Sequence, residues 1–370
     1  MKKTKLIVKT KSKSYPIYFG SNILKSTGVL VKKNLPGVKK ICVISDNKLP
    51  KVIIKELIKS LKNYKVKIYK LSVSENIKNI NLASKIVEKL LEENFNRSDC
   101  IVALGGGIIG DLSAFISSIT KRGLKFINIP TTLLAQVDAS IGGKTGINSI
   151  RGKNLIGTYY QPDFVLSDTS ILNSLPRREM ISGYGEILKH SLILDKKFFL
   201  WLLKNGNKIL NKKDGLYTIE AIFKSCKIKC KIVEKDEREK NLRMILNFGH
   251  TFAHGFEGAK NFSKKLNHGE AVLLGMKVAA DLSNKKKILS SKELDLINKH
   301  YVKLKLPMSM GKIFKKKEIN KIIYFMQKDK KNVDNKINLI LLKEIGKTTK
   351  PKEFSLTANE IKKNFQFYYL

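Results

Sequence analysis

Three of the chain's five histidines fall between positions 250 and 268. His250 and His254 are four residues apart, a spacing that places both imidazoles on one face of a helix. His268 follows a short loop containing lysine and asparagine and precedes Gly269-Glu270, where a new helical pattern begins. A lone helical histidine is ordinarily a satisfied polar group. Three so close together suit a divalent metal, held by imidazoles and a carboxylate with one coordination position left for substrate. Local spacing does not fix the acid. Glu257, three residues beyond His254, is the local guess, and Glu270 and Glu186 compete with it. Cys226 and Cys230 share the four-residue spacing but have no second pair nearby, and read as packing residues.

A second feature points to a phosphate-bearing ligand. Gly105-Gly106-Gly107-Ile108-Ile109-Gly110-Asp111 follows an apolar strand-like run and opens an amphipathic stretch, with Gly105, Gly107 and Gly110 at the three positions of G-x-G-x-x-G. Glycine there lets the backbone turn and approach a pyrophosphate beneath a helix N-terminus. The ordinary fingerprint also has an acid about 20 residues on for the ribose. No Asp or Glu stands between Asp111 and Asp138, so Asp46, ending an earlier strand-like run, is the candidate for that contact. Farther along come Pro130-Thr131-Thr132, Asp138, Gly142-Gly143-Lys144-Thr145-Gly146 and Gly152-Lys153-Asn154. Lysine among glycines and hydroxyls suits a point-charge contact to phosphate. In so lysine-rich a chain any single one is more simply a solvated loop residue, and it is the density of Asp138, Lys144, Lys153 and Asn154 that matters.

The elements that would carry these residues alternate in the first half. Ile41–Asp46, Lys65–Tyr69, Cys100–Leu104, Phe126–Ile129 and Phe164–Ser167 read as strands, with helical stretches over 49–61 and 82–93, a βαβ pattern. Beyond Leu175-Pro176-Arg177 the apolar spacing becomes helical, as over 187–194, 216–234 and 271–282. The expected fold is an α/β N-terminal nucleotide-binding domain with a parallel sheet, residues 1–173. A mostly α-helical C-terminal domain, residues 174–370, would carry the metal and substrate groups.

Composition sets limits. The chain has 370 residues with 42% hydrophobic and 28% charged, which fits a globular protein and not a disordered one. Four cysteines make no disulfide framework, and the longest apolar run, near Phe198–Leu203, is far short of the ~18 residues of a membrane span. The start, with only Leu6, Ile7 and Val8 before Lys9, lacks the apolar core of a signal peptide, so a cytoplasmic location is expected. The formal net charge is +41, from 72 Lys and Arg against 31 Asp and Glu. Because lysine is scattered instead of gathered into a stripe or tail, the charge does not indicate a nucleic-acid partner. It would still attract anionic small molecules.

Taken in order, the runs GGGIIGDLSAF, RGLKFINIPTTLLAQVDASIGGKTGIN, GKNLIGTYYQP, LPRREMISGYGEILKH, DERE, LRMILNFGHTFAH and LNHGEAV resemble the 3-dehydroquinate synthase family, over about Asp46 to Lys331. The resemblance implies a homodimeric enzyme of the shikimate pathway using NAD and Zn2+ or Co2+. That family converts 3-deoxy-D-arabino-heptulosonate 7-phosphate to 3-dehydroquinate and phosphate, by transient oxidation, phosphate elimination, reduction and intramolecular aldol closure. Carried over by residue, its metal ligands fall on Glu186, His250 and His268, which leaves His254 a substrate-contacting or proton-relaying group. Substrate groups fall on Asp138, Lys144, Asn154, Lys189, Lys229, Arg243, Asn247 and Lys330. Cofactor contacts fall on Asp46, Glu75, Lys78, Gly106, Gly107, Ile108, Ile109, Gly110, Asp111, Thr131, Thr132, Lys144, Lys153, Ile171, Leu172, Asn173 and Ser174. Arg122 matches an arginine that in the family reaches the partner subunit's active site. Ser117 and Ile119 replace an alanine and a tyrosine common in the family, and Lys240-Asn241 replaces a glycine pair. Neither change touches a carried-over role. The nearest rivals are a related sugar-phosphate cyclase and a metal-dependent polyol dehydrogenase of the same fold, though simple dehydrogenases of that group place Asp where Glu186 stands.

Overall fold

The structure is a computed structural model, and it describes residues 4–211, 215–328, 336–366 and 368. The chain divides into two compact units: 1–180 with 212–238, and 181–211 with 239–370. The sequence suggests a single division between 173 and 174; the fold instead places the stretch 212–238 with the N-terminal half.

The first unit is built on a seven-stranded sheet. Its strands are β1 (Thr4–Lys9), β2 (Ser14–Gly20), β3 (Lys40–Asp46), β4 (Lys65–Leu71), β5 (Cys100–Gly105), β6 (Lys125–Pro130) and β9 (Phe164–Asp168). Between β6 and β9 lies a short hairpin, β7 (Ile147–Ser149) and β8 (Gly152–Ile156). The sheet order is β1-β2-β9-β6-β5-β3-β4, parallel throughout except for the β1–β2 pair. Parallel strands buried on both faces are expected to be continuously apolar. Every residue of β5, CIVALG, is indeed buried.

Alternation divides β3 between two cores. Ile41 and Val43 join Val31 of α1 (Thr27–Asn34) and Ile53, Ile54 and Leu57 of α2 (Lys51–Ser60) on one face. Cys42 and Ile44 join Ala83, Ile86 and Leu90 of α3 (Ile80–Glu92), with Ile109 and Leu112 of α4 (Gly107–Ile119), on the other. Helices on both faces make this a doubly wound sheet. Its strand order reverses between β3 and β5, where Ser45 pairs with Leu104, and ligands of such sheets bind beyond the strands' carboxyl ends at that reversal.

Helix α5 (Arg177–Leu194) carries the chain from the first unit into the second. After α6 (Lys196–Leu210), α7 (Gly215–Lys235) returns to the first. The second unit continues with α8 (His250–Ala259), α9 (His268–Lys285), α10 (Ser291–Leu304) and α11 (Ile319–Gln327). Short strands β10 (Lys336–Leu339), β11 (Leu342–Glu344), β12 (Lys347–Thr348) and β13 (Phe354–Thr357) precede α12 (Ala358–Gln366). Among the described residues no helix is long and apolar enough to cross a membrane. All four cysteines are buried thiols.

Within the second unit, Tyr184 of α5 and His300 of α10 share a buried hydrogen bond of 2.8 Å between Oη and Nε2. Burial lowers the His300 pKa from 6.5 to about 4. A depressed folded-state pKa stabilises above the unfolded value and loses that contribution as pH falls toward the folded value. The native state is therefore expected to lose about 2 kcal/mol by pH 5 and about 3 kcal/mol by pH 4 from this group alone. Urea unfolding across this range is the check: His300→Gln should show a shallower acid slope, and an unchanged slope would deny the assignment.

Candidate active site

In the first unit the expected cofactor residues stand at the carboxyl ends of the parallel strands. Asp46 ends β3, Gly106, Gly107, Ile108, Ile109, Gly110 and Asp111 lead from β5 into α4, and Thr131 and Thr132 follow β6. Glu75 and Lys78 lie in the β4–α3 connection, and Ile171, Leu172, Asn173 and Ser174 in the turn of 3-10 helix after β9. That turn is fixed by Asp168, a fully buried carboxylate that accepts from the backbone N–H groups of Asn22, Leu24 and Ser170 and from the Ser170 hydroxyl.

Lys78 organises the next layer. Almost fully buried, its Nζ meets the Asp111 carboxylate at 2.7 Å and donates to the Asn154 side-chain oxygen at 2.5 Å. Burial raises the Asp111 pKa, and the Lys78 ammonium opposes that shift. Asn154 lies on β8 with a left-handed φ of 54°, and with its side-chain oxygen engaged its amide N–H2 is the group left to meet an anion.

Asn148 ties the β7–β8 hairpin to the β4–α3 connection. It donates to the Glu75 carboxylate at 2.8 Å, receives the Asn154 N–H at 2.9 Å, and its own N–H reaches the Lys78 carbonyl at 2.7 Å. Sequence reading missed Asn148, although it ends the run GKTGIN, and it missed Asp168.

Asp138 lies in a single π-type turn, Ala135–Ala139. Lys229 of α7 donates to both its carbonyl and its carboxylate at 2.6 Å, and the Cys226 thiol, one turn earlier, donates to the Gln136 carbonyl. The return of α7 to the first unit thus gives these two expected substrate residues direct contact. Lys144 is exposed and forms a bridge with Tyr159, and Lys153 is half-buried on β8. Arg122 is exposed, in a turn where Lys121 and Arg122 have φ of 48° and 64° and Gly123 has 126°. Two consecutive side-chain-bearing residues in the left-handed region are costly, and such strain clusters at functional sites.

The second unit brings Glu186, His250 and His268 together: one donor atom from each lies within 4.8 Å of the others. Glu186 is fully buried, with His250 Nε2 at 3.6 Å and His268 Nε2 at 4.0 Å from its Oε1, an oxygen that accepts no hydrogen bond. Lys189, one turn on and itself 2% exposed, pairs with the other oxygen. Two ligands each ~2.1 Å from a tetrahedral ion stand ~3.4 Å apart, so a buried carboxylate facing two imidazoles fits a divalent cation.

Backbone packing builds this centre. Gly269 lies so close to α5 that a Cβ there would sit 2.3 Å from Ser182 Cα. Gly249, with φ of 78°, caps α8, and a Cβ there would meet the Met276 backbone N at 2.7 Å. The run Asn267–Glu270 closes a capping box that makes His268 the first residue of α9 and occupies the Glu270 carboxylate. Glu257, the local guess from sequence, is not in the triad; its Oε2 lies 3.1 Å from His268 Nδ1. His254 lies beside His250, ring centroids 5.9 Å apart, also outside the triad. Arg243 and Asn247 share one 3-10 turn, Arg243 buried and Asn247 donating to Glu239 at 3.2 Å. Lys330 lies outside the described residues.

The 3-dehydroquinate synthase N-terminal family matches residues 68–182, and the 3-dehydroquinate synthase C-terminal family residues 183–332. A 3-dehydroquinate synthase of Pelagibacter ubique is 53% identical over 342 residues, covering 92% of this chain and 93% of that protein. One of Rhodospirillum rubrum is 38% identical over 93% of this chain and 90% of its own length. A solved 2-deoxy-scyllo-inosose synthase, complexed with carbaglucose-6-phosphate, NAD+ and Co2+, shares the fold: TM-score 0.86, 24% identity, 97% of this chain and 98% of that one. With the two family matches running consecutively over residues 68–332 and relatives aligned nearly end to end, the chain belongs to the 3-dehydroquinate synthase family.

Proposed function

We infer that the chain catalyses its family's reaction, converting 3-deoxy-D-arabino-heptulosonate 7-phosphate to 3-dehydroquinate and phosphate. The observation that carries the reading is the buried Glu186 carboxylate, one oxygen neutralised by Lys189 and the other facing two imidazoles. Zn2+ or Co2+ held by Glu186, His250 and His268 would supply Lewis-acid polarisation of the substrate hydroxyls. NAD held beyond the carboxyl ends of β3 and β5 would supply a hydride acceptor that is regenerated, leaving no net redox change.

The protein's own contribution is orientation and fixed charge. In the first unit, Asp46 takes the ribose, and the α4 N-terminus, Thr131, Thr132 and Lys153 hold the pyrophosphate. Lys144 and the Asn154 amide take the substrate phosphate, and Lys229, fixed on Asp138, offers its ammonium to the carboxylate. In the second unit, Arg243 grips the carboxylate with a bidentate fork, Asn247 and Lys330 add phosphate contacts, Lys189 holds a hydroxyl, and His254 relays a proton.

The molecule works in the cytoplasm as a homodimer, with Arg122 delivered to its partner's active site. Mixing Arg122→Ala with His268→Ala subunits, each inactive alone, should recover up to about a quarter of wild-type activity through mixed dimers. No recovery in a proven mixed dimer would place Arg122 elsewhere. The reaction itself is tested by supplying the sugar-acid phosphate with NAD+ and Zn2+. Phosphate and 3-dehydroquinate should appear in equal amounts without accumulating NADH, whereas NADH without phosphate would make the chain a polyol dehydrogenase.

A further inference from the structure

Each donor of the triad has a second partner that aims it. Lys189 pairs with Glu186 Oε2, leaving Oε1 to the imidazoles, and the Phe248 carbonyl lies 3.4 Å from His250 Nδ1. The partner of His268 differs in kind. It is Glu257, a carboxylate 13% exposed, on the same helix as His250 and seven residues farther on, with Oε2 3.1 Å from His268 Nδ1. We propose that Glu257 is the positioning residue of the metal centre, fixing His268 in the tautomer and ring orientation that present Nε2 to the ion.

The chemistry follows from what a carboxylate can do. It accepts hydrogen bonds and has no proton to give, so His268 Nδ1 must carry the hydrogen. Nε2 is then left with its lone pair, on the side of the ring that faces Glu186 Oε1. A negative acceptor on Nδ1–H also makes the imidazole a stronger donor to a cation than a backbone carbonyl does. His268 needs this help more than His250. It is the first residue of α9, its side chain is 35% exposed against 13% for His250, and Glu257 is the anchor that keeps the ring from turning toward solvent. Periodicity reinforces the arrangement. His250, His254 and Glu257 at i, i+4 and i+7 share one face of α8, so a single helix supplies a ligand and the group that orients another.

The inference rests on the metal-centre reading, and the test separates the two. Zn2+ affinity is measured on the full chain by competition with a chromophoric chelator, and Co2+-loaded protein by its visible absorption. Glu257→Ala should weaken Zn2+ binding about 10- to 100-fold and shift the Co2+ bands, and Glu257→Gln, which still accepts from Nδ1–H, should recover part of the loss. Circular dichroism of the metal-free variants should match wild type, since a purely structural defect would appear there. If Glu257→Ala binds Zn2+ within twofold of wild type while Glu186→Gln binds none, the positioning role is overturned and the triad stands. If Glu186→Gln itself holds Zn2+ with wild-type affinity, the metal-centre reading falls, and this inference with it.

Discussion

Glu186→Gln should retain no Zn2+ through gel filtration and should lose turnover by at least about 10^3-fold, because the cation's several kcal/mol of transition-state stabilisation goes with it. Position and burial explain why so isosteric a change is so damaging. The side chain is fully buried, Lys189 neutralises one oxygen, and the other faces the two imidazoles with which it would share the ion. The amide keeps the volume but removes the anionic charge, so Lys189 is left as a buried, unneutralised ammonium. Breaking such a pair costs about 3–5 kcal/mol, and a lower melting temperature should accompany the lost metal. Excess Zn2+ should not restore activity. A variant that binds metal normally but is inactive would show that Glu186 serves chemistry and not coordination.

The second large effect is expected at Arg243, which differs in being separable from the metal. Arg243→Ala should raise the KM for the sugar-acid phosphate by about 10- to 100-fold, the range for losing charge-assisted hydrogen bonds to a carboxylate, while Zn2+ affinity stays unchanged. Arg243→Lys should recover little, because a single ammonium cannot reproduce the planar fork. The side chain is only 3% exposed although it sits in a short 3-10 turn and not on a long helix, so it is held in place before substrate arrives. Steady-state kinetics on substrate alone decides the matter, and a normal KM in Arg243→Ala would contradict the carboxylate role.

Much of the first unit was legible because its strands are short β-branched runs with turn residues at their ends. β3, β4, β5, β6 and β9 begin and end within two residues of the runs read from sequence. Sheet order was not legible, since nothing in 40–46 states that it lies beside 100–105; that pairing is what places Asp46 next to the glycine turn. The β1–β2 hairpin was missed although Tyr15, Ile17 and Phe19 alternate and are buried, because in β1 the outward-facing Ile7 between Leu6 and Val8 blurs the period of two.

In the second unit the histidine spacing pointed to a cation but left the choice of acid open. Helix periodicity makes Glu257 a neighbour of His250 and His254, and it cannot reveal that α5 crosses close to α9 at Gly269 and so delivers Glu186. The assignment of α7 also lay beyond sequence, because its amphipathic pattern says that one face is buried without saying against what. The hydrogen bonds from Lys229 to Asp138 supply the answer.

The dependence of catalysis on the metal centre is tested most directly by phosphate release from rigorously demetallated protein supplied with NAD+ and 3-deoxy-D-arabino-heptulosonate 7-phosphate. Metal-free protein should release no phosphate, and activity should rise linearly with added Zn2+ or Co2+ and saturate at one ion per chain. Undiminished phosphate release with no metal bound would contradict that dependence.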